Sequence, residues 1–181
     1  KAVILIHMLN RNRHDWNPFA TKLNQNNFST LSIDLRGHGE SQGDLKQFTE
    51  QDFNNIVLDV KAAKEFLVSE GYSEIHIVGG SIGANIAINY AVNDSSIKKV
   101  VLLSPSENYR GITIENLNDY KGELLIATGS QDIKSYIGSA QLNETFTGEK
   151  EFLVYNTNTH GTNLLLAYNE LNNKILEFLK K

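Results

Sequence analysis

The chain contains no cysteine, which excludes disulfides and thiolate metal sites and leaves the redox compartment open. It has no apolar run near the ~20 residues that cross a bilayer, so no membrane span is expected. It has no Gly-Lys-Ser/Thr segment, which removes a Walker-type phosphate cradle. No Lys/Arg cluster forms a basic stripe, and 17 basic residues against 21 acidic ones leave a net charge of −4 with a pI near 5.7. That balance does not suit a nucleic-acid partner. Internal repeats, low-complexity tracts and linker-like stretches are also missing, so residues 1–181 read as one domain. A chain of that length buries very roughly 70% of its unfolded surface. The sequence begins at Lys1, directly in an apolar stretch, so an upstream segment is expected; cytoplasmic placement is favoured, with a secretory signal or lipid anchor left open. Oligomeric state is not legible.

Short apolar runs alternate with amphipathic segments from end to end, the pattern of a parallel sheet covered on both faces. Strands are expected near 2–7, 29–34, 75–79, 98–104, 123–129 and 151–155. Helices are expected near 16–26, 52–69, 82–93, 133–142 and 163–179. The second helix carries Phe53, Ile56, Val57, Val60, Ala63, Phe66 and Leu67 along one face. Thr49 and Asp52 offer a capping box at its start and Gly71 a stop after its end. The last helix repeats the spacing with Leu164, Tyr168, Leu171, Ile175 and Phe178.

The most informative segment is Gly79-Gly80-Ser81-Ile82-Gly83, lying between an apolar strand and a helical pattern. A serine on so tight a strand-to-helix turn is lifted above the sheet, and side chains at Gly79 or Gly83 would collide with neighbouring backbone. The Ile82 amide then stands at a helix N-terminus, facing developing negative charge. A serine hydroxyl is a poor nucleophile alone and needs a base, and the base needs an orienting group. Asp132 turns out of the strand at 124–129, and His160 follows the strand at 152–155, giving the order serine, acid, histidine. His160 is the single histidine C-terminal to Ser81. Glu144 and Glu149 are poorer acids because neither directly follows a strand.

These residues resemble the α/β-hydrolase family, and the resemblance spans nearly the whole chain. Ile4-Leu5-Ile6-His7-Met8-Leu9 is similar to the family's first oxyanion strand and turn, and Asp34-Leu35-Arg36-Gly37-His38-Gly39-Glu40-Ser41 to its Asp-x-Arg-Gly-His-Gly-x-Ser loop. The resemblance implies an α/β-hydrolase fold of about six mostly parallel strands flanked by helices on both faces, in a capless, dienelactone-hydrolase-like form. It implies Ser81 as nucleophile, Asp132 as orienting acid and His160 as base, with the backbone amides of Leu9 and Ile82 as oxyanion donors. Met8 stands where the family usually has glycine. About sixteen residues separate Pro105 from Gly122, too few for a lid domain.

The other histidines read as structural: His7 and His38 bonding backbone, His76 a satisfied interior group, His14 exposed. A zinc site from His7, His14 and Asp34 lacks ligand spacing, so no metal and no cofactor is expected. Asp34 and Arg36 are expected to brace the loop after the second strand. Pocket candidates are Met8, Trp16, Tyr109 and Ile112, with Ile114 and Leu117 as further apolar cover; for Trp16, packing of the first helix is the stronger reading. The expected activity is cleavage of a small to medium carboxylic ester through an acyl-enzyme. A thioesterase, an amidase or a perhydrolase would use the same triad, and a non-catalytic binding protein is the rival of another class.

Overall fold

The computed structural model describes residues 1–181. Eight strands form: β1 (Ala2–Ile6), β2 (Ser29–Ile33), β3 (Ile75–Gly80), β4 (Lys99–Leu103), β5 (Asn108–Tyr109), β6 (Ile112–Thr113), β7 (Glu123–Gly129) and β8 (Lys150–Tyr155). Six of them make one sheet in the order β2-β1-β3-β4-β7-β8, parallel throughout. Parallel strands need covered crossovers, which is why the central strands are apolar on both faces. In β1, Ala2, Ile4 and Ile6 point into one core cluster and Val3 and Leu5 into the other.

Seven helices supply the cover: α1 (Asn17–Asn24), α2 (Glu50–Asn54), α3 (Val57–Ser69), α4 (Ile82–Val92), α5 (Ile133–Thr145), α6 (Asn163–Ala167) and α7 (Asn169–Lys180). One face is closed by α2, α3 and α4 with Leu142 of α5, the other by Trp16, α1, α6 and α7. None is long and apolar enough to cross a membrane.

Two expected helices are each divided in the structure. The helix foreseen over 52–69 begins at Glu50 behind the Thr49–Asp52 capping box and breaks at Asn55-Ile56. There the ladder tightens to Ile56 N–H on Phe53 O and Leu58 N–H on Asn55 O, which lets Phe53, Ile56 and Val60 all enter one core. Phe66, assigned to the same apolar face, is 52% exposed beside the edge strand β2. The helix foreseen over 163–179 breaks at Tyr168, whose backbone is extended (φ −129°, ψ 96°). Its ring lies 4.3 Å from that of Tyr155 in β8, and the Asn172 amide donates to the freed carbonyls of Leu165 and Tyr168 at 2.7 and 3.3 Å.

The segment after Pro105 holds a structure the periodicity did not show. β5 and β6 pair antiparallel across Arg110 and Gly111, both at positive φ (54° and 87°), the requirement of a two-residue type I′ turn. No lid domain is present. Strand order reverses between β1 and β3, and crevices at the carboxyl ends of such a switch point are where open α/β sheets bind ligands. The residues that leave β1 and β3 there are His7 to Leu9 and Ser81.

Candidate active site

Ser81 follows β3 with φ 56° and ψ −123°, a conformation that costs an L-residue on the order of 1–3 kcal/mol and persists only where surroundings impose it. The surroundings here are close-packed. A Cβ on Gly79 would fall on the Gly83 carbonyl, and one on Gly83 would lie 2.5 Å from the Ile6 oxygen and 2.6 Å from the His7 oxygen. The two flanking glycines are therefore steric requirements of the turn. The turn is tied down by the Ser81 amide donating to Leu103 O in β4 at 2.8 Å. Ile82 is the first residue of α4, and neither its amide nor that of Leu9 is engaged by a backbone carbonyl. Both are backbone donors left without a backbone acceptor.

Asp132 and His160 are brought together from separate strands. Their loops are joined by Ser130 N–H on Tyr155 O at 2.8 Å and Gln131 N–H on Thr157 O at 2.9 Å. Gly129 has no room for a side chain against the Thr157 carbonyl. The result is a 2.5 Å contact between His160 Nδ1 and Asp132 Oδ2. The Gly161 amide donates to Ser104 Oγ at 2.9 Å, fixing the histidine loop above β4. A Cβ on Gly161 would sit 3.6 Å from Ser81 Cβ, so Ser81 lies beside the backbone of the residue that follows His160. No hydrogen bond links Ser81 to the imidazole, a contact that in unliganded hydrolases commonly closes only with substrate.

A second layer of polar groups reaches His160, and sequence reasoning missed most of it. Ser135, buried in α5, places its hydroxyl 3.3 Å from His160 Nδ1 and 3.1 Å from the Tyr109 hydroxyl. Tyr109 donates to the Ser104 carbonyl at 3.1 Å, and its ring stands edge-on to the imidazole with centroids 6.3 Å apart. Burial pushes the Tyr109 phenol up, while the Ser135 and Ser81 hydroxyls beside it pull the other way. When Nδ1 carries the proton donated to Asp132, Ser135 can only accept from it, so the Ser135 proton turns to Tyr109. Asn85 holds this layer in place: its amide donates to Ser106 O and Ile112 O at 2.8 and 3.0 Å and accepts from Ser106 N–H at 3.2 Å. Two asparagines one turn apart in a largely apolar helix were the available sequence signal, and Asn89 adds a bond to Thr113 O at 2.6 Å.

The turn after β1 is also braced. Leu35 N–H donates to His7 Nε2 at 3.1 Å, so the ring proton sits on Nδ1 and is donated to Met8 O at 2.7 Å. Burial holds the His7 imidazole below its ordinary range, consistent with that neutral tautomer. His38 bonds the Arg36 carbonyl at 3.1 Å, and His14 is exposed. Asp34 receives the Arg13 amide at 2.7 Å, the Arg13 guanidinium at 2.6 Å and the Glu40 amide at 3.0 Å. Burial opposes its charge, but those amides and the guanidinium prevail and hold the carboxyl below the usual carboxylate range. Arg36 grips Asp59 through Nε and Nη2 at 2.8 and 2.7 Å. No group of three or more His, Cys, Asp or Glu side chains is arranged to hold a metal.

Of the four pocket candidates, two stay near Ser81 and His160. Met8 packs against Gly80 and Gly161, and Tyr109 stands edge-on to His160. Trp16 is withdrawn: it is fully buried in the layer under α1, because the turn at 13–16 points its indole into the sheet. Ile112 is withdrawn as well, since its side chain is 2% exposed within the opposite core and its carbonyl is held by Asn85. Leu117 is likewise buried. His76 departs from expectation too: its Nδ1 has no partner, and its Nε2 has only a Glu74 carboxylate at 3.2 Å, off the line of a hydrogen bond.

A cleft of about 250 Å³ opens beside the turn after β1, walled by Leu9, Leu45, Phe48 and Phe53, with Lys46 and Arg110 as exposed lining residues. A larger groove of about 850 Å³ follows the β2 edge, and none of Ser81, Asp132 and His160 lines it. Its ions are engaged in structure: Asp34 with Arg13, Asp59 with Arg36, and Asp52 with the Thr49 cap.

The sequence pattern of the family described as "Serine aminopeptidase, S33" matches residues 1–125, a span that holds Ser81 and ends before Asp132 and His160. A search of curated proteins finds no match. Among solved structures, an esterase of Pyrococcus furiosus is 23% identical, covering 99% of this chain and 81% of its own, with a TM-score of 0.82. A dienelactone hydrolase of Anabaena variabilis is 16% identical over 97% of this chain and 83% of its own, at 0.80. A monoacylglycerol lipase of Paleococcus ferrophilus is 16% identical over 98% and 93%, at 0.78. At these identities the likeness shows the fold.

Proposed function

The chain belongs to the serine aminopeptidase S33 family of α/β-hydrolases, and we propose that it is a serine hydrolase that cleaves small to medium carboxylic esters. Ser81 attacks the ester carbonyl as its proton passes to His160 Nε2. Asp132 keeps the imidazole in the tautomer that leaves Nε2 free, and stabilises the imidazolium that forms. The Leu9 and Ile82 amides receive the tetrahedral oxyanion at the N-terminus of α4. His160 then protonates the departing alcohol, and the acyl group stays on Ser81 Oγ. A water that gives its proton to the same histidine attacks the acyl carbon, the second tetrahedral intermediate collapses, and Ser81 regains its proton as the carboxylic acid leaves.

The observation that carries this reading is the 2.5 Å His160–Asp132 pair held beside a serine whose backbone is strained on the turn after β3. Small to medium substrates are favoured by the modest cleft at Leu9 and by the lack of a lid that could shelter a long tail. The family description also raises an amide reading. An aminopeptidase has to accommodate a free ammonium beside the scissile bond, and the cleft there offers Lys46 and Arg110 and no acid. That favours the ester.

Labelling by a fluorophosphonate probe tests the nucleophile, and a panel of p-nitrophenyl esters from acetate to palmitate, with an aminoacyl p-nitroanilide, tests the bond. The expected result is stoichiometric label on Ser81, ester turnover peaking at short to medium chains, and no anilide cleavage. A protein that takes no label and turns over none of the panel is a binding protein with a hydrolase fold.

A further inference from the structure

The Leu9 cleft lies between two segments that touch the nucleophile. On one side Leu9 follows Met8, which packs on Gly80 and Gly161 next to Ser81. On the other, Arg110 follows Tyr109, whose ring faces His160 and whose phenol the Ser81 hydroxyl helps to hold down. The cleft therefore adjoins, through Leu9 and Arg110, both segments that flank Ser81 and His160. Its walls are apolar, from Leu9, Leu45, Phe48 and Phe53.

The charge there is one-sided. Lys46 and Arg110 are the ionisable lining residues, both positive and exposed, and neither forms an ion pair. Glu50 packs its stem on Gly111 at the ribbon turn and pairs with neither. The contrast with the rest of the chain is sharp, because its net charge is −4 and the ions of the larger groove are already engaged. Two unpaired cations at the end of an apolar slot are placed to attract and orient an anion.

We infer that the cleft is an acyl subsite for esters whose acid carries a second, terminal carboxylate, with an apolar stem between the two carbonyl carbons. The half-ester of a dicarboxylic acid has that form. Leu45, Phe48 and Phe53 take the stem, and Lys46 and Arg110 take the free carboxylate. This assignment rests on the proposed ester hydrolysis at Ser81 and names the substrate class of that same site.

The test compares monomethyl adipate with methyl hexanoate, which share a chain length and differ in the terminal charge, by following methanol release. At low ionic strength the ratio of their kcat/KM values should favour the charged ester about fivefold or more, the scale of two partly exposed ion pairs. The ratio should fall towards one in the double variant Lys46→Gln/Arg110→Gln and in high salt. Lys98→Gln/Lys121→Gln removes the same charge at the opposite end of the sheet and should leave the ratio where it was. A ratio at or below one in the wild type, or one indifferent to the first pair of substitutions, overturns the subsite while ester hydrolysis stands. Failure to hydrolyse either ester, with no fluorophosphonate label on Ser81, overturns the functional reading and the subsite with it.

Discussion

The two ends of the sheet invite comparison, because the same strands carry polar residues at both. β3 begins with His76 one residue in and delivers Ser81 just past its end. β4 starts at Lys99 and ends against Ser104, and β7 starts at Glu123 and leads to Asp132. At the carboxyl end the polar atoms are linked to one another: Asp132 to His160, His160 to Ser135, Ser135 to Tyr109, Tyr109 to Ser104, and Ser104 to Gly161. The backbone there is strained, with Asn10, Ser81, Ser104 and Arg110 all at positive φ between 53° and 59°. At the amino end the one such residue within two positions of a strand start in the sheet is Asn27 (φ 66°), an asparagine in the turn before β2. Lys99 donates to Phe178 O at 2.8 Å and holds the last helix, and His76 is left with an orphaned nitrogen. Buried polarity alone does not mark a site. The mark is a chain of side chains linked one to the next over a strained backbone, since orphaned buried atoms occur at both ends, Ser106 Oγ and Thr128 Oγ1 at the carboxyl one.

The largest test of that contrast is Ser81→Ala. It should lower kcat on the order of 10⁶-fold, as loss of a triad serine does elsewhere, and barely move the unfolding midpoint, since the strained backbone stays and only a small hydroxyl goes. Residual turnover above a few per cent would remove Ser81 from the chemistry and with it the functional contrast between the two ends.

Next is Asn85→Ala, which strips partners from Ser106 N–H, Ser106 O and Ile112 O. Each orphaned buried group costs on the order of 1 kcal/mol or more, so urea unfolding should show a loss of roughly 3 kcal/mol. kcat/KM should drop as well because Tyr109 loses its support. An intact stability would mean that the ribbon after Pro105 is held by something other than the α4 clamp.

The amino end should announce itself through pH. Burial, with Lys1 and Lys99 nearby, outweighs Glu74 and pushes His76 down to about 4. An unfolded chain takes up that proton near pH 6.5 while the folded one resists until near pH 4, so stability should fall as pH drops through this window and the loss should level off below it. The effect should be on the order of 3 kcal/mol, given 1.36 kcal/mol per unit over a fall from 6.5 to about 4 that already includes the opposing pull of Glu74. His76→Leu should flatten that limb without altering the shape of the activity profile. A wild-type curve flat from pH 6.5 to pH 4 would show that the histidine titrates as if exposed.

Smallest is Ser135→Ala. It removes one acceptor from His160 Nδ1 while leaving Asp132, so kcat/KM should fall by less than about tenfold, the scale of one hydrogen bond. The acidic limb of the pH–rate profile should move to lower pH, because the imidazolium loses a stabilising contact. Ser135→Thr, which restores the hydroxyl, should recover most of the shift. A pH profile unchanged in Ser135→Ala would make the contact incidental.

Periodicity and residue chemistry were enough for the six-strand parallel sheet, the strand-to-helix turn at 79–83, the placing of Asp132 and His160 each in a loop directly after a strand, and the bracing contacts of His7, Asp34 and Arg36. These are local statements: an apolar run, a pair of glycines with no room for Cβ, a capping box, a loop directly after a strand. The sequence could not show that Trp16 and Ile112 turn into opposite cores, because the direction of a side chain leaving a turn depends on what the turn packs against. It could not show the breaks at Ile56 and Tyr168, where helical spacing continues but a core contact or the Tyr155 ring makes the bend favourable. Nor could it assemble Ser135, Tyr109, Ser104 and Asn85, four residues from α5, β5, the end of β4 and α4 that share no spacing. Their hydrogen bonds exist only once the sheet has set the distances between strands, and the sheet's register is fixed by burial summed over the whole chain, not by any residue in the site.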